Sequence, residues 1–549
     1  MKNSSSKAIL TIVSMLIASA AWAQGAHGSS GSGNILLYAL ISVAVLVFFY
    51  IVVQVSDSLL VIESRQNSST ANSNANFSLF PSWKEIFAPR LPDFLKNKPI
   101  TILKRGHDIL LEGEAARVVD KSVAANTYAV QPPNFVGISP IPKMMVEVGT
   151  EVKAGDPLFH DKTRPELMWV APVSGEVVAI NRGEKRAITS VAILADKEMK
   201  YRSLPSFKLE DSTREALVSF LLDAGAWPLI CQRPFGVMAD IGEAPRDIFI
   251  STFDTAPLAP DLNFVVEGKE EAFQKGLDVL NKLTAGKVHL GLDGRGKQEP
   301  HKAFTEARGV ELHYFHGKHP IGNVGVQIHH IQPIAAGDKV WSLGVQEVIA
   351  LGRLFTEGRY NAERVVAVAG AELKEPKYVN TYLGAKMGNL VEGNLANGHV
   401  RLISGDVLSG EAKTAEDFLN YHDDQVTAVR EGDEFTVFGW LLPSLNTPSI
   451  SKTFPSAFMP KMKFRAETNT HGEKRAFVVT GSYEKVLPMD IHPQELFKSI
   501  LIGDFEKMEG LGIYELLEED VALCEFVCVS KQPIQHILRQ GLDMMREQS

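Results

Sequence analysis

The side chains able to do chemistry are few and unevenly spread. Five histidines crowd one stretch, His313, His316, His319, His329 and His330, and the first three read H-x-x-H-x-x-H. Imidazoles are common zinc ligands, so the run raises the question of a metal site. Strand geometry argues against one. Side chains alternate across a strand, so the residue three positions beyond His313 points to the opposite face, and His319 precedes Pro320 in a loop. No metal is expected there. The three cysteines, Cys231, Cys524 and Cys528, include one pair at helical i, i+4 spacing. An iron–sulfur cubane needs four thiolates, so buried free thiols are expected instead. Gly317, Gly322 and Gly325 invite a phosphate-loop reading, but a plain strand-to-helix turn suits them better.

These residues need elements to hold them. From Met144 to Ile193 the chain reads as a folded-over β unit: Val146, Val148, Val152 and Leu158 nearly alternate with polar residues, and Gly149 and Gly155 fall at turns. A second copy follows Ala171-Pro172-Val173-Ser174-Gly175, with a strand over Glu176–Ile180, a turn at Asn181-Arg182-Gly183 and an apolar run from Ile188 to Leu194. Ser212 is the expected N-cap of a helix running to Asp223. A strand over Asp247–Ser251, an amphipathic helix over Glu270–Leu283 and strands over Val288–Leu292 and Val310–Phe315 imply an α/β unit with a parallel sheet. Strands at Val365–Gly370 and Val400–Gly405 flank Tyr378–Leu383. Mixed β structure is expected over Val426–Pro443 and Ala476–Leu487, and helices from Gln494 to the end.

The 549 residues, 45% apolar and 22% charged, suffice for three or more domains with real cores. A formal charge of −9 speaks against nucleic-acid binding, which usually needs a basic face. Three scattered cysteines make no disulfide scaffold, so the body is expected in a reducing compartment. At the N-terminus, Lys2 and Lys7 precede an apolar run from Ala8 to Ala20, and Ala21-Trp22-Ala23 has the small-x-small form of a signal-peptidase site. After a Gly/Ser stretch, Leu36 to Val55 runs without a charge for about the length that crosses a bilayer core of roughly 30 Å. Whether or not the leader is cut, the passes leave the body inside, and Arg65, Lys84 and Arg90 follow the helix in agreement. Arg65–Asn76 reads as a flexible linker. Phe77–Pro99 mixes aromatics with lysines and prolines, and either lies on lipid or packs against the β unit.

The paired halves of the β unit resemble the barrel-sandwich hybrid domain of biotinyl and lipoyl carriers, and Asp161-Lys162-Thr163 resembles their acylated hairpin. Arg164-Pro165-Glu166-Leu167 lengthens the gap before the second half, and Pro165 disturbs the ladder, so Lys162 is expected to be a solvated turn lysine. The order of several stretches carries a closer likeness. Ile102 to Ile109, Glu151 to Phe159, Ala179 to Arg186, Cys231-Gln232-Arg233-Pro234-Phe235, Thr284 to Val288, His319-Pro320-Ile321-Gly322, Phe438-Gly439-Trp440 and Glu518 to Cys528 together resemble the NqrA subunit family of the Na+-translocating NADH:quinone oxidoreductases.

That resemblance implies an α/β and β multidomain chain. Residues 1–23 form a signal-peptide-like leader, 35–55 a transmembrane helix and 56–98 a linker with an interfacial segment. The barrel-sandwich hybrid takes 99–200, a degenerate flavin-subunit-like α/β domain 201–363, an SLBB-like β-grasp module 364–412, a mixed β region 413–488 and C-terminal helices 489–549. The leader and anchor are additions to the family pattern, which begins near Thr101. Flavin-binding relatives carry a Gly-rich loop and paired glutamates where this chain has Gly225-Ala226-Trp227-Pro228-Leu229 and Ser251 to Pro257. A flavin phosphate needs closely approaching backbone N–H groups, so no redox cofactor is expected on this chain. FAD, FMN, riboflavin and iron–sulfur centres are implied on partner subunits of a six-subunit, sodium-exporting inner-membrane complex. The chain would dock on the membrane subunit NqrB from the cytoplasmic side, with His319, Pro320 and Gly322 as candidates for lining the quinone site and no catalytic residue of its own. The alternative is a flavin or iron–sulfur electron carrier of the RnfC type.

Overall fold

The computed structural model describes residues 41–46, 48–49, 52, 91–121, 125–138, 141–396, 398–433, 439, 448, 450–451 and 454–548. Residues 1–90 and 91–549 form two separate units. In the first, 41–46, 48–49 and 52 are helical, with Ile41, Phe48 and Phe49 exposed. Among the described residues no helix is long and apolar enough to cross a membrane. The leader, the linker and most of the span expected over 35–55 lie outside the described residues, as do 56–90 of the interfacial segment. Its end is described. Leu95 is buried, and Phe94 tilts against Tyr314 at 6.2 Å, so this part packs on the α/β sheet and not on the β unit.

In the second unit the largest sheet has seven strands. In spatial order they are Ile100–Ile102, Glu311–His316, Val288–Asp293, Ile248–Ser251, Val340–Leu343, Cys231–Arg233 and Val237–Met238. The first five run parallel, and Cys231–Arg233 pairs antiparallel with both Val340–Leu343 and Val237–Met238. One face buries Ile248, Ile250, Leu290 and Leu292 in the same core as Phe273, Leu277 and Leu280 of the Glu270–Leu283 helix. That helix forms over the span its periodicity predicts, with Glu270 and Glu271 in the first turn favouring the positive N-terminal end of the dipole. It crosses the Val345–Glu357 helix at contact distance, since a Cβ on Gly352 would sit 1.7 Å from the Ala272 carbonyl oxygen. The opposite face is covered in part by the Val324–Ile331 helix, whose Ile328 packs with Phe249 and Val340.

Within the span 99–200, two strands complete sheets of other regions. Ile100–Ile102 pairs with Tyr314–His316 at the edge of the α/β sheet, and Ala116–Asp120 lies along Lys377–Tyr382 in the six-stranded sheet of the β-grasp module. Alternation identifies a strand but not the sheet that satisfies its backbone. The hybrid proper is a four-stranded sheet built from Thr127–Val130, Glu151–Val152, Gly175–Arg182 and Ile188–Ala195, with a three-stranded sheet of Lys143–Met144, Pro157–His160 and Met168–Val170. The turn expected at Asn181–Gly183 comes later. The strand continues through Arg182, and the reversal uses left-handed Lys185 and Arg186, with Gly183 N donating to Ala187 O at 2.8 Å.

Two more local readings shift. The helix before Asp223 starts at Arg214, capped by Thr213, whose Oγ1 accepts from Ala216 N at 3.3 Å; Ser212 Oγ is turned back to donate to Leu209 O at 2.9 Å. Ala476–Leu487 holds no strand, and Tyr483–Val486 is a short helix. Its Phe477, Val486 and Leu487 belong to the core of the C-terminal region, which supplies them with helices and not a sheet edge. That region folds as Pro493–Ile502, Phe505–Gly510, Glu518–Val527 and Ile534–Gln548 around Leu496, Phe497, Leu523 and Leu538. Gln425–Arg430 is the one described strand of the stretch expected over Val426–Pro443, half of which lies outside the described residues.

Candidate functional site

A small cavity of about 50 Å3 opens where the α/β domain, the β-grasp module and the C-terminal helices meet, lined among others by Asp254, His319, Asn323, Asp406, Ser409 and Glu519. Asp254 follows the Ile248–Ser251 strand and His319 follows Glu311–His316, so the cavity lies beyond the carboxyl ends of parallel strands, where α/β sheets place their ligands. Asp406 stands in the loop after Val400–Ser404, and Glu519 in the first turn of the Glu518–Val527 helix.

His319 is 3% exposed. Its backbone N–H donates to Asp108 Oδ1 at 2.9 Å, its Nδ1 lies 3.0 Å from Thr255 Oγ1, and Nε2 has no protein partner. Thr255 Oγ1 also accepts from Gly322 N at 3.0 Å, so one hydroxyl ties the ring to the Gly322 backbone. Burial holds the imidazole pKa down at about 4 against the pull of the Asp406 and Asp108 carboxylates, so the ring is neutral at pH 7. Pro320 and Gly322 are buried behind it and do not line the cavity. A Cβ on Gly322 would approach Thr255 N to 2.7 Å, so its place is to bring that loop close enough to orient His319.

The floor is a buried ion network. Arg233 Nη1 lies 3.0 Å from Asp520 Oδ2, and Nη2 lies 2.5 Å from Glu519 Oε1. Asp520 Oδ2 also accepts from Leu517 N at 3.0 Å, closing the start of the helix. Gly325 lets this pair pass beneath the Val324–Ile331 helix, because a Cβ there would meet Asp520 Oδ2 at 2.2 Å. That is a packing duty and not a phosphate loop. Burial, with the Asp406 charge nearby, pushes the Asp254 carboxyl up. Asp406 is spent on its own loop, accepting from Leu408 N at 2.6 Å and from Ser409 Oγ at 2.5 Å. The result is a small polar hole with one free imidazole edge. Pockets for drug-sized ligands hold about 300–1,000 Å3, so the hole is too small to enclose one unless the three surrounding regions part.

The turn at 225–229 is packed solid. Trp227, Pro228 and Leu229 are buried, Trp227 Nε1 donates to Ala239 O at 2.8 Å, and its ring meets Trp341 edge-on at 5.5 Å. A Cβ on Gly225 would lie 2.1 Å from Val170 of the hybrid domain. In the Ser251–Pro257 segment the Ser251 hydroxyl faces the Phe253 and Gly322 carbonyls, each at 2.8 Å.

The remaining sequence candidates disperse. His316 Nδ1 lies 2.9 Å from Gly294 O, His329 bonds Glu515 at 2.7 Å, His330 bonds Pro488 O at 2.7 Å, and His313 meets His289. Cys524 is inside the Glu518–Val527 helix and Cys528 is its C-cap; both are buried in one cluster, and Cys528 Sγ lies 2.9 Å from the Tyr483 hydroxyl. Cys231 is on a strand of the large sheet. Lys162 is exposed on the loop after Pro157–His160, beside buried Asp161, which accepts from Thr163 N at 2.9 Å. Sequence reading quoted the stretches that hold Arg233, Asp254, Glu519 and Asp520 but did not single these residues out, and it missed Asp406, because their pairing joins distant parts of the chain.

Three family models match the chain. Residues 100–196 match an NqrA N-terminal barrel-sandwich hybrid domain, 212–360 an NqrA second alpha/beta domain and 365–415 an NQRA C-terminal domain. The chain is 38% identical over 444 residues to the Na(+)-translocating NADH-quinone reductase subunit NqrA of Alcanivorax borkumensis, covering 80% of this chain and 98% of that one. It is 37% identical over 450 residues to the subunit of the same name from Haemophilus influenzae, covering 81% and 99%. Among solved structures, an NAD+-reducing [NiFe]-hydrogenase in the air-oxidized state overlays at a TM-score of 0.32 and 12% identity, over 62% of this chain and 64% of that chain, too distant to carry an argument.

Proposed function

The chain belongs to the NqrA family of Na(+)-translocating NADH-quinone reductase subunits, and from that membership we propose that it is a platform subunit without a redox group of its own. The observation that carries this reading is an alignment spanning 98% of a relative's length. In it the chain docks on the membrane subunit NqrB at the cytoplasmic face of the inner membrane, while flavins and an iron–sulfur centre on other subunits pass electrons from NADH to quinone and Na+ is expelled. Trp227 and Pro228 support the absence of a flavin, since a buried indole fills the space and proline lacks the N–H a phosphate requires. His319 is the residue of the quinone-lining trio with an unpaired side-chain nitrogen to offer, while Pro320 and Gly322 pack behind its ring. The stretch ahead of residue 100 is outside the family models and serves as a membrane tether.

Purifying the tagged full chain in mild detergent from its native membranes tests the assignment. NqrB and further sodium-pump subunits are expected to come with it. A preparation free of every one of them would undo the reading.

A further inference from the structure

On the less covered face of the large sheet, three ligand-bearing side chains converge from two neighbouring strands. His289 and Glu311 are direct partners in the parallel register, and His313 lies two residues on, opposite Gly291. Because paired residues of parallel strands share a face, all three point the same way. His289 Nδ1 is 3.0 Å from His313 Nε2 and 3.6 Å from Glu311 Oε2, and one ligand atom from each residue lies within 4.8 Å of the others. An ion bound tetrahedrally at about 2.0–2.2 Å sets its ligand atoms roughly 3.4 Å apart, a spacing that those two separations bracket.

We propose that His289, Glu311 and His313 form a binding site for a divalent transition-metal ion of the Zn2+ type, with a fourth position open to solvent. The surroundings match what such a site requires. His289 is 4% exposed and its ring is clamped by Phe249, stacked at 4.6 Å and 15°. Its outer nitrogen, Nε2, has no hydrogen-bond partner and faces Asp247 Oδ1 at 3.7 Å. Ligation through Nδ1 puts the ring hydrogen on Nε2, and a small rotation then closes a carboxylate–histidine–metal relay of the kind that fixes metal-binding imidazoles. Lys287 pairs with the other oxygen of Glu311, Oε1, which leaves Oε2 directed at the histidines. The Glu311 side chain is 44% exposed, so an ion enters from solvent without opening the core. Two imidazoles and one carboxylate favour zinc-like ions over Ca2+ or Mg2+, which prefer all-oxygen sites. The histidine run in the sequence hid this arrangement, since only His313 of that run takes part and its partner comes from the adjacent strand.

The test is a Co2+ titration of the untagged full-length chain in mild detergent after chelator treatment. One equivalent of Co2+ is expected to give the visible d–d bands of low-coordinate cobalt and to be displaced by Zn2+. His313→Ala is expected to weaken binding by about 100-fold and Asp247→Asn by roughly 10-fold, while His316→Ala leaves the titration unchanged. If His313→Ala does not fold, Glu311→Gln on its exposed carboxylate serves instead, with the same direction of effect. Absence of the cobalt bands in the parent chain overturns the site, as do bands that persist undiminished in His313→Ala or Glu311→Gln.

Discussion

Arg233→Met is expected to destabilise the junction between the α/β domain and the C-terminal helices by about 3–5 kcal/mol. The guanidinium is 2% exposed and answers Asp520, whose side chain is fully buried. Methionine keeps much of the volume but leaves that carboxylate without a counter-charge, and the cost of one uncompensated buried charge exceeds what the intact pair contributes. The loss is local, so it is best read from hydrogen exchange of the Glu518–Val527 helix and not from a single melting point of a multidomain chain. Adding Glu519→Gln and Asp520→Asn to Arg233→Met should restore most of the protection, because the charges are then gone and the new amide at position 520 retains an oxygen for Leu517 N. Equal exchange in the parent and the single variant would mean that the network is not holding the junction.

The second large effect is one of pH. His319 has a folded-state pKa of about 4 against 6.5 when unfolded. Between those values the unfolded chain binds the extra proton, so stability rises with pH through the window and is lost as pH falls from about 6.5 towards 4. The shift corresponds to roughly 3 kcal/mol. Melting temperature against pH is to be compared for the parent chain and His319→Gln, so that other titrating groups cancel. The parent should fall more steeply below pH 6.5, and parallel curves would mean that the imidazole is solvated and not walled in.

What the sequence disclosed, and what it hid, follows the range of the interactions. The Glu270–Leu283 helix was legible in full because its apolar stripe and acidic first turn are local properties. Its neighbour's cap moved from Ser212 to Thr213, since two adjacent hydroxyl residues carry the same signal and only the fold decides which accepts from the helix. Ile100–Ile102 was not read as a strand, since its partner lies beyond residue 310 and nothing local names it. Ala476–Leu487 was misread because a short apolar run such as Ala476–Val479 also suits an irregular segment laid over helices. For the cavity, the ordered family motifs led to His319, but Asp254, Asp406 and Glu519 reach it from three separate regions. The His289–His313 contact was illegible for the same reason. Register between strands is a tertiary fact.

We propose above all that this NqrA-family chain acts without a redox cofactor of its own, with Trp227 and Pro228 filling the turn at 225–229. The visible absorption spectrum of the purified full-length chain, recorded under anaerobic conditions before and after addition of NADH, addresses that claim most directly. The account predicts no flavin or iron–sulfur band near one equivalent per chain and no change on adding NADH. A stoichiometric chromophore that bleaches with NADH would contradict it and favour an electron carrier of the RnfC type.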